Sequence, residues 1–502
     1  MSLKKNILAN YVSQIYVTLI GIAMLPVYIK YMGAETYGLV GFFAMLQAWF
    51  QLLDMGLTPT MARQTARYQG GAIDALNLRR LLRALEGVFI GVALLGSVGI
   101  IAAADSIATK WLNVQTLPLN EVLNAVMLMG IIIALRWTCG LYRGAINGFE
   151  RLVWLSGWSA FIATLRFVLV IPFFILVGTT PTDFFSYQLG VAIIELAVLV
   201  TQTYRLLPKV AADQHTPWQW QPLRGVLKFS LSIAFTSSVW VLVTQTDKLV
   251  LSKLLPLAEY GYFTLAVLVA SGVSMVSGPI SGAIIPRMTR LHAEGNETGL
   301  IQLYRHSTQL VAVIAAPAAL VLAFFSEQVL WAWTGDTSLV SKTAPVLTLY
   351  ALGTGILALG AFPYYLQFAK GDLKLHLIGS FLFVLLLIPS LIWATWHYGM
   401  IGAGWAWLIA NLIYFLSWVP LVHQRFARGL HWSWLTKDVI FTSMPAIFCV
   451  WLVQSVVPWP EGRLAMAAQL CALGILLLGI TSLSSEKIRA TLAKQFASRT
   501  IN

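Results

Sequence analysis

The chain has 502 residues, of which 58% are hydrophobic, 12% aromatic and only 11% charged, against roughly 25% charged in an ordinary soluble domain. That balance excludes a soluble enzyme, a disordered chain, a disulfide-stapled secreted module and a nucleic-acid binder, each of which is more polar, richer in cysteine or basic on an exposed face. The net charge of +13 acquires a meaning only when its bearers are placed along the chain.

A membrane-spanning helix needs about 17–25 predominantly apolar residues. Windows of that kind predict helices near 7–29, 37–57, 83–104, 119–142, 152–177 and 184–204, then 229–252, 261–285, 308–327, 344–368, 376–396, 402–422, 437–457 and 464–483. The fold expected is therefore an all-α polytopic membrane protein with 14 transmembrane helices. The first segment follows Lys4 and Lys5 as a signal peptide would, but it is too long for a signal-peptide core and has no small-x-small cleavage site, so it reads as retained.

Lysine and arginine separate by loop. The amino terminus, the even-numbered connections and the tail (Lys487, Arg489, Lys494, Arg499) hold 25 of the 33, whereas the odd-numbered connections hold five: Lys30, Lys110, Lys253, Lys342 and Arg463. Short loops rich in Lys and Arg stay cytoplasmic, so both termini are expected inside. Deleting one helix from the series would swap the sides of all later loops and destroy this split. Cys139, Cys449 and Cys471 fall in apolar runs without metal-ligand spacing and read as small buried hydrophobes.

The two halves repeat weakly. Ala34-Glu35-Thr36-Tyr37-Gly38-Leu39 recurs as Leu257-Ala258-Glu259-Tyr260-Gly261-Tyr262, 223 residues on. Arg67 meets Arg290 at the same offset, and Glu150 meets Asp372 at an offset of 222. Six helices per copy is an even number, so the copies insert with one orientation, as in carriers built from parallel repeats. The expected lobes are 1–222 (helices 1–6) and 223–430 (helices 7–12), with helices 13 and 14 and a cytoplasmic tail in 431–502.

Three basic residues fall inside spans: Arg136, Arg166 and Lys248. Each costs about 2.5–3.5 kcal/mol at a helix centre unless it meets water, an acid or a ligand. Glu195 and Asp247 lie at similar depth. Arg143 follows Arg136 by two turns on one helix face, with Asn147 beyond it. The bland reading is an interhelical ion pair, for example Arg166 with Glu195. The functional reading is a cationic cavity for an anionic headgroup, in which Arg136, Arg143, Arg166 and Lys248 meet phosphate oxygens. Asp247 and Glu195 are the candidates for ion coupling, and Arg63, Arg67, Arg287 and Arg290 mark a cytoplasmic entrance. Gly140, Gly144 and Gly148 read as a close helix-packing face. Pro59, Pro172, Pro279, Pro286, Pro317, Pro363 and Pro389 lie in or at the ends of spans and can kink or hinge them. No D-x-D or E-x-D pair, H-E-x-x-H motif or P-loop occurs, so neither catalysis nor a cofactor is expected.

Leu3-Lys4-Lys5-Asn6-Ile7, the run from Tyr37-Gly38-Leu39-Val40-Gly41-Phe42-Phe43 to Leu53-Asp54-Met55-Gly56-Leu57 with Arg63 and Arg67, and Tyr142-Arg143-Gly144-Ala145 leading into Gly148-Phe149-Glu150-Arg151 resemble Wzx-type flippases. So does Thr246-Asp247-Lys248-Leu249-Val250-Leu251-Ser252-Lys253-Leu254-Leu255-Pro256-Leu257 followed by Tyr260-Gly261-Tyr262. These are the O-antigen and polysaccharide-repeat translocases of the MOP superfamily, which also holds MATE exporters and the lipid II flippase. The resemblance implies two six-helix lobes plus two helices in the bacterial inner membrane. It also implies an undecaprenyl-pyrophosphate-linked oligosaccharide moved to the periplasmic leaflet, with a polysaccharide polymerase and a chain-length regulator as partners. The lipid II branch carries charges in its first helix and 7–29 has none. A MATE-type drug or cation antiporter would want an acidic cavity, and a polymerase or ligase would want a large periplasmic loop.

Overall fold

The computed structural model describes residues 3–208, 220–486 and 489. Lys209, Lys487, Lys494 and Arg499 lie outside the described residues. Among the described residues regular structure is helical throughout, apart from one isolated bridge between Asn113 and Pro256. Hydrocarbon offers no partner to a free N–H or C=O, and a helix satisfies both within the segment. Eleven helical stretches among the described residues are long and apolar enough to cross a bilayer, which makes this a multi-pass membrane protein.

The chain divides into two compact units, Met1–Gly261 and Tyr262–Asn502. The first contains α1 (Leu3–Ala23), α2 (Leu25–Phe50), α3 (Leu57–Gln69), α4 (Ala75–Ser106), α5 (Leu119–Gly148), α6 (Leu152–Phe167), α7 (Val170–Leu176), α8 (Pro181–Leu206) and α9 (Gln221–Leu254). The separation expected between 29 and 37 is made by one residue, Gly33, whose φ of 83° lies in the region that favours glycine. After α2 the chain reverses at Met55 and Gly56. There the Asp54 carboxylate accepts from the Thr58 N–H (3.2 Å) and hydroxyl (2.5 Å), which starts α3.

The sequence placed no helix at α3, in the connection after 57. It is amphipathic, burying Leu57, Met61, Gln64 and Thr65 while exposing Arg63 and Arg67. Its buried face lies against α5 where the latter has no side chains. A Cβ on Gly144 would sit 2.6 Å from the Thr58 carbonyl oxygen, and one on Gly148 would sit 2.6 Å from Thr65 Cβ. The glycine face is thus a helix-packing surface.

The span expected at 152–177 is broken between α6 and α7, and Pro172 explains the break. Proline has no N–H for the Val168 carbonyl, which accepts instead from Ile171 (3.0 Å), while the Leu169 N–H reaches back five residues to Thr164 (3.0 Å). The carbonyls just before the break are taken up by side chains, as the site below requires.

The second unit holds most of α10 (Leu257–Ala293), then α11 (Glu297–Phe324), α12 (Ser326–Thr334), α13 (Thr337–Gly360), α14 (Phe362–Ala369), α15 (Lys374–Phe426), α16 (Leu430–Ser433), α17 (Phe441–Val456) and α18 (Arg463–Ser484). A π-helical stretch, Trp434–Ile440, joins α16 to α17. The 53-residue α15 is two arms that part at Gly399 (φ 59°, ψ −146°), between the two spans expected at 376–396 and 402–422. Helices α17 and α18 pack on α11 and α12 through Leu320, Phe325, Ala446, Val450, Leu473 and Leu477. Polar contacts also join the flanks of these helices to α11: buried Asp438 accepts two bonds from Arg305 (2.7 and 3.1 Å) and one from Gln309 (2.7 Å), and Ser485 donates to Gln309 (2.8 Å). One expectation fails here. Cys139 is buried, but Cys471 is exposed, on the same outward face of α18 as Leu464 and Ile475. A thiol tolerates lipid as readily as a packed core.

Overpacking a close helix contact costs about 1–3 kcal/mol. Gly144→Val should lower the apparent Tm in detergent, with Gly157→Val, where no atom lies within 4 Å of the added Cβ, as the control. Equal melting of the two variants would contradict the α3–α5 contact.

Candidate functional site

Four elements of the first unit meet around the break at Pro172. Where α6 ends, the Leu165 carbonyl accepts from Tyr187 (2.7 Å), the Arg166 carbonyl from Tyr28 (3.1 Å) and Gln188 Nε2 (3.0 Å), and the Phe167 carbonyl from Tyr28 (3.1 Å). Side chains from α2 and α8 thus replace backbone donors that the bend removes. This fixes the Gln188 amide: with its nitrogen donating to Arg166, its oxygen points away and accepts from Arg136 Nη2 at 2.7 Å.

Arg136 is 7% exposed. Its guanidinium lies 5.4 Å from the Phe43 ring centroid, and Nε and Nη1 have no hydrogen-bond partner among the described residues. Arg166 lies over Phe167 at 5.3 Å, its Nε also without a hydrogen-bond partner among the described residues. A guanidinium cannot shed its proton, so both positions hold fixed positive charge among aromatic faces, which offer part of what a counter-ion would.

The acid belongs elsewhere. Glu195, 4% exposed, pairs with Arg143 Nη2 at 2.5 Å, and Arg143 Nη1 donates to Ser159 at 3.1 Å. The pairing suggested by depth alone, Arg166 with Glu195, is corrected: α5 carries Arg143 alongside Glu195 on α8, and Arg166 turns to Phe167. Glu195 nevertheless acts electrostatically on both Arg136 and Arg166. Three guanidiniums against one carboxylate leave 3 − 1 = +2 in this group. Arg143, whose side chain is 34% exposed, is its accessible member.

Lys248 and Asp247 form a separate pair on α9. Lys248 Nζ donates to the Thr244 carbonyl (2.6 Å) and lies 3.5 Å from Asp247 Oδ1, which also accepts from the Lys248 N–H (2.8 Å). Arg63 and Arg67 are exposed on α3, Arg67 donating to Gln64 at 3.2 Å. Arg287 and Arg290 are exposed on α10, Arg290 paired with Glu294 at 2.8 Å.

Attention to charge alone missed Gln188, Tyr28 and Phe43, which hold the arginines. A glutamine in the apolar α8 was a readable signal. Glu86 was missed as well. It is buried on α4 and accepts from Tyr142 (3.0 Å) and Tyr204 (2.9 Å).

A family model described as Polysaccharide biosynthesis protein matches residues 3–292. Among solved structures, the lipid II flippase MurJ in an inward closed conformation is similar at a TM-score of 0.72 and 14% identity, covering 95% of this chain and 98% of that one. An inward-facing multidrug resistance MATE family transporter of the MOP superfamily is similar at 0.68 and 15%, covering 82% and 94%. A MOP superfamily transporter from Pyrococcus furiosus, described as having a binding pocket of reverse polarity, is similar at 0.57 and 13%, covering 84% and 95%. At these identities the likeness is one of fold. No curated protein matches the sequence.

Removing one partner of an enclosed ion pair strands the other, at about 3–5 kcal/mol when fully buried and less here because Arg143 is a third exposed. Arg143→Ala should therefore destabilise the protein more than Arg143→Ala combined with Glu195→Ala. A double-mutant cycle on detergent melting would read this coupling, and additive effects would contradict the pair.

Proposed function

This chain belongs to the polysaccharide biosynthesis protein family, whose model covers more than half of it, and from that premise we propose that it is a flippase for a lipid-linked oligosaccharide. The substrate is undecaprenyl-pyrophosphate bearing an O-antigen or related repeat unit, carried from the cytoplasmic to the periplasmic leaflet of a bacterial inner membrane by alternating access. A polysaccharide polymerase and its chain-length regulator receive the product.

The reading adopts 14 crossings with both termini cytoplasmic. Eleven candidate spans, one more from the division of α15 at Gly399, and α1 and α9 give 11 + 1 + 1 + 1 = 14. Two six-helix lobes, 1–222 and 223–430, follow from the sequence repeat.

The observation that carries the substrate class is the +2 group around Gln188. Dragging a sugar through hydrocarbon costs about 4–8 kcal/mol per unpaired hydroxyl on a cyclohexane scale, so the headgroup needs a polar route while the polyprenyl tail stays in lipid. Arg63, Arg67, Arg287 and Arg290 gather the anionic headgroup at the cytoplasmic side. Arg143, the accessible member, exchanges Glu195 for phosphate oxygens, and Arg136, Arg166 and Lys248 complete the binding charge. Glu195, which Arg143 leaves, and Asp247 beside Lys248 are the groups that couple substrate arrival to an ion gradient.

Hydrogen bonds to charged groups are worth about 1.5–3 kcal/mol each, about 10- to 150-fold in affinity. Arg136→Ala and Arg166→Ala should reduce surface polysaccharide by at least the lower factor with the protein still in the membrane, and Arg→Lys should lose less. Unchanged export in the Ala variants would reject the substrate role of that residue.

A further inference from the structure

We propose that the two copies of the sequence repeat themselves form the extracytoplasmic gate of the transport path, 34–38 closing directly on 257–261. This rests on the transport reading above and on the orientation drawn from the loop charges.

At an offset of 223, Ala34 corresponds to Leu257 and Gly38 to Gly261. A Cβ added to Gly38 would strike the Leu257 carbonyl oxygen and lie 2.9 Å from Leu257 Cδ1. One added to Gly261 would lie 2.7 Å from the Ala34 carbonyl oxygen and 3.1 Å from the Gly38 nitrogen. Exchanging each residue for its counterpart turns the first contact into the second. Such reciprocity is the mark of an isologous, two-fold contact, and chance similarity between apolar helices does not produce it. Tyr37 and Tyr260 are counterparts too, and both are buried.

The α4–α5 connection straps the seam. The Leu257 N–H donates to the Asn113 carbonyl (2.9 Å) beside the Asn113–Pro256 bridge, Trp111 donates to Ser252 (3.0 Å), and Lys253 lies over the Trp111 ring at 5.1 Å. On the other side, Glu35 accepts from the backbone N–H groups of Gln115 (2.5 Å), Thr116 (2.9 Å) and Leu117 (3.1 Å). These residues belong to the odd-numbered connections, the side opposite the basic loops. Across 34–38 and 257–261 the contact is backbone against glycine, with no ion pair among the described contacts, so it separates without stranding a charge. Glycine is needed for the approach at both positions, and that requirement explains why these two glycines recur in the repeat.

The test is a reversible cross-link. Residues opposed in a bridge sit at about the 4.7–4.9 Å strand spacing, within disulfide range. Asn113→Cys with Pro256→Cys, in a background of Cys139→Ala, Cys449→Ala and Cys471→Ala, should oxidise and lower surface polysaccharide at least tenfold. Reductant should restore it, and each single variant should export normally. Export by the cross-linked protein at the reduced level would overturn the gate. A second readout needs no substrate. Adding Tyr260→Cys to the reduced pair should permit labelling of that position by a membrane-impermeant maleimide, read at residue 260 by peptide mass spectrometry because the two reduced cross-link thiols also react, and cross-linking should suppress labelling at residue 260 at least tenfold. Labelling that is absent when reduced, or indifferent to the cross-link, would also overturn the gate. Suppressed labelling in a protein that carries no polysaccharide precursor would uphold the gate and reject the flippase reading alone.

Discussion

The interior of the first unit depends on one missing hydrogen-bond donor. Pro172 cannot serve the Val168 carbonyl, α6 ends early, and the carbonyls of Leu165, Arg166 and Phe167 turn to Tyr187, Gln188 and Tyr28. Satisfying backbone in hydrocarbon is obligatory, so these side chains are not free to adopt other rotamers. Gln188 in particular is oriented by a backbone carbonyl before it meets Arg136. The charge group is thus placed by polar neutral residues, with electrostatics adjusting what the backbone has arranged.

The two units treat charge differently. In the second, Asp438 takes Arg305, Asp372 takes Arg425 and Glu297 takes Lys370. Asp438 is buried, whereas Asp372 and Glu297 are partly exposed and share the cost of their pairs with water. In the first unit Glu195 must answer three guanidiniums at depth. In place of nearby acids, Arg136 and Arg166 have the faces of Phe43 and Phe167.

Much of the fold was legible because membrane insertion writes large signals. Apolar length marked the spans that α4, α5, α8, α11 and both arms of α15 occupy, and the gap left between 396 and 402 falls on Gly399. The amphipathic α3 was not legible by hydropathy: its arginines disguise a helix whose buried face needs only Leu57, Met61 and three polar residues. Within the site, the depth of Arg136, Arg166 and Glu195 was readable from position. The partner of Glu195 was not, because it depends on the direction in which each side chain leaves its helix, and for Arg166 on a bend three to six residues away. Gln188 was present as a neutral polar letter in the apolar α8, a signal that charge counting passes over.

The node around Asp438 bears on how the chain is made. Arg305 precedes Asp438 by 133 residues, and at about 5–20 residues per second of synthesis that is about 7–27 s of waiting. For that interval Arg305 and Gln309 wait for the Asp438 carboxylate, and a long side chain can meanwhile reach toward water. The arrival of Asp438, and then of Ser485, withdraws those side chains from water. The last two helices therefore close a polar account that α11 opens early, and the second unit completes its interior only when they have been inserted.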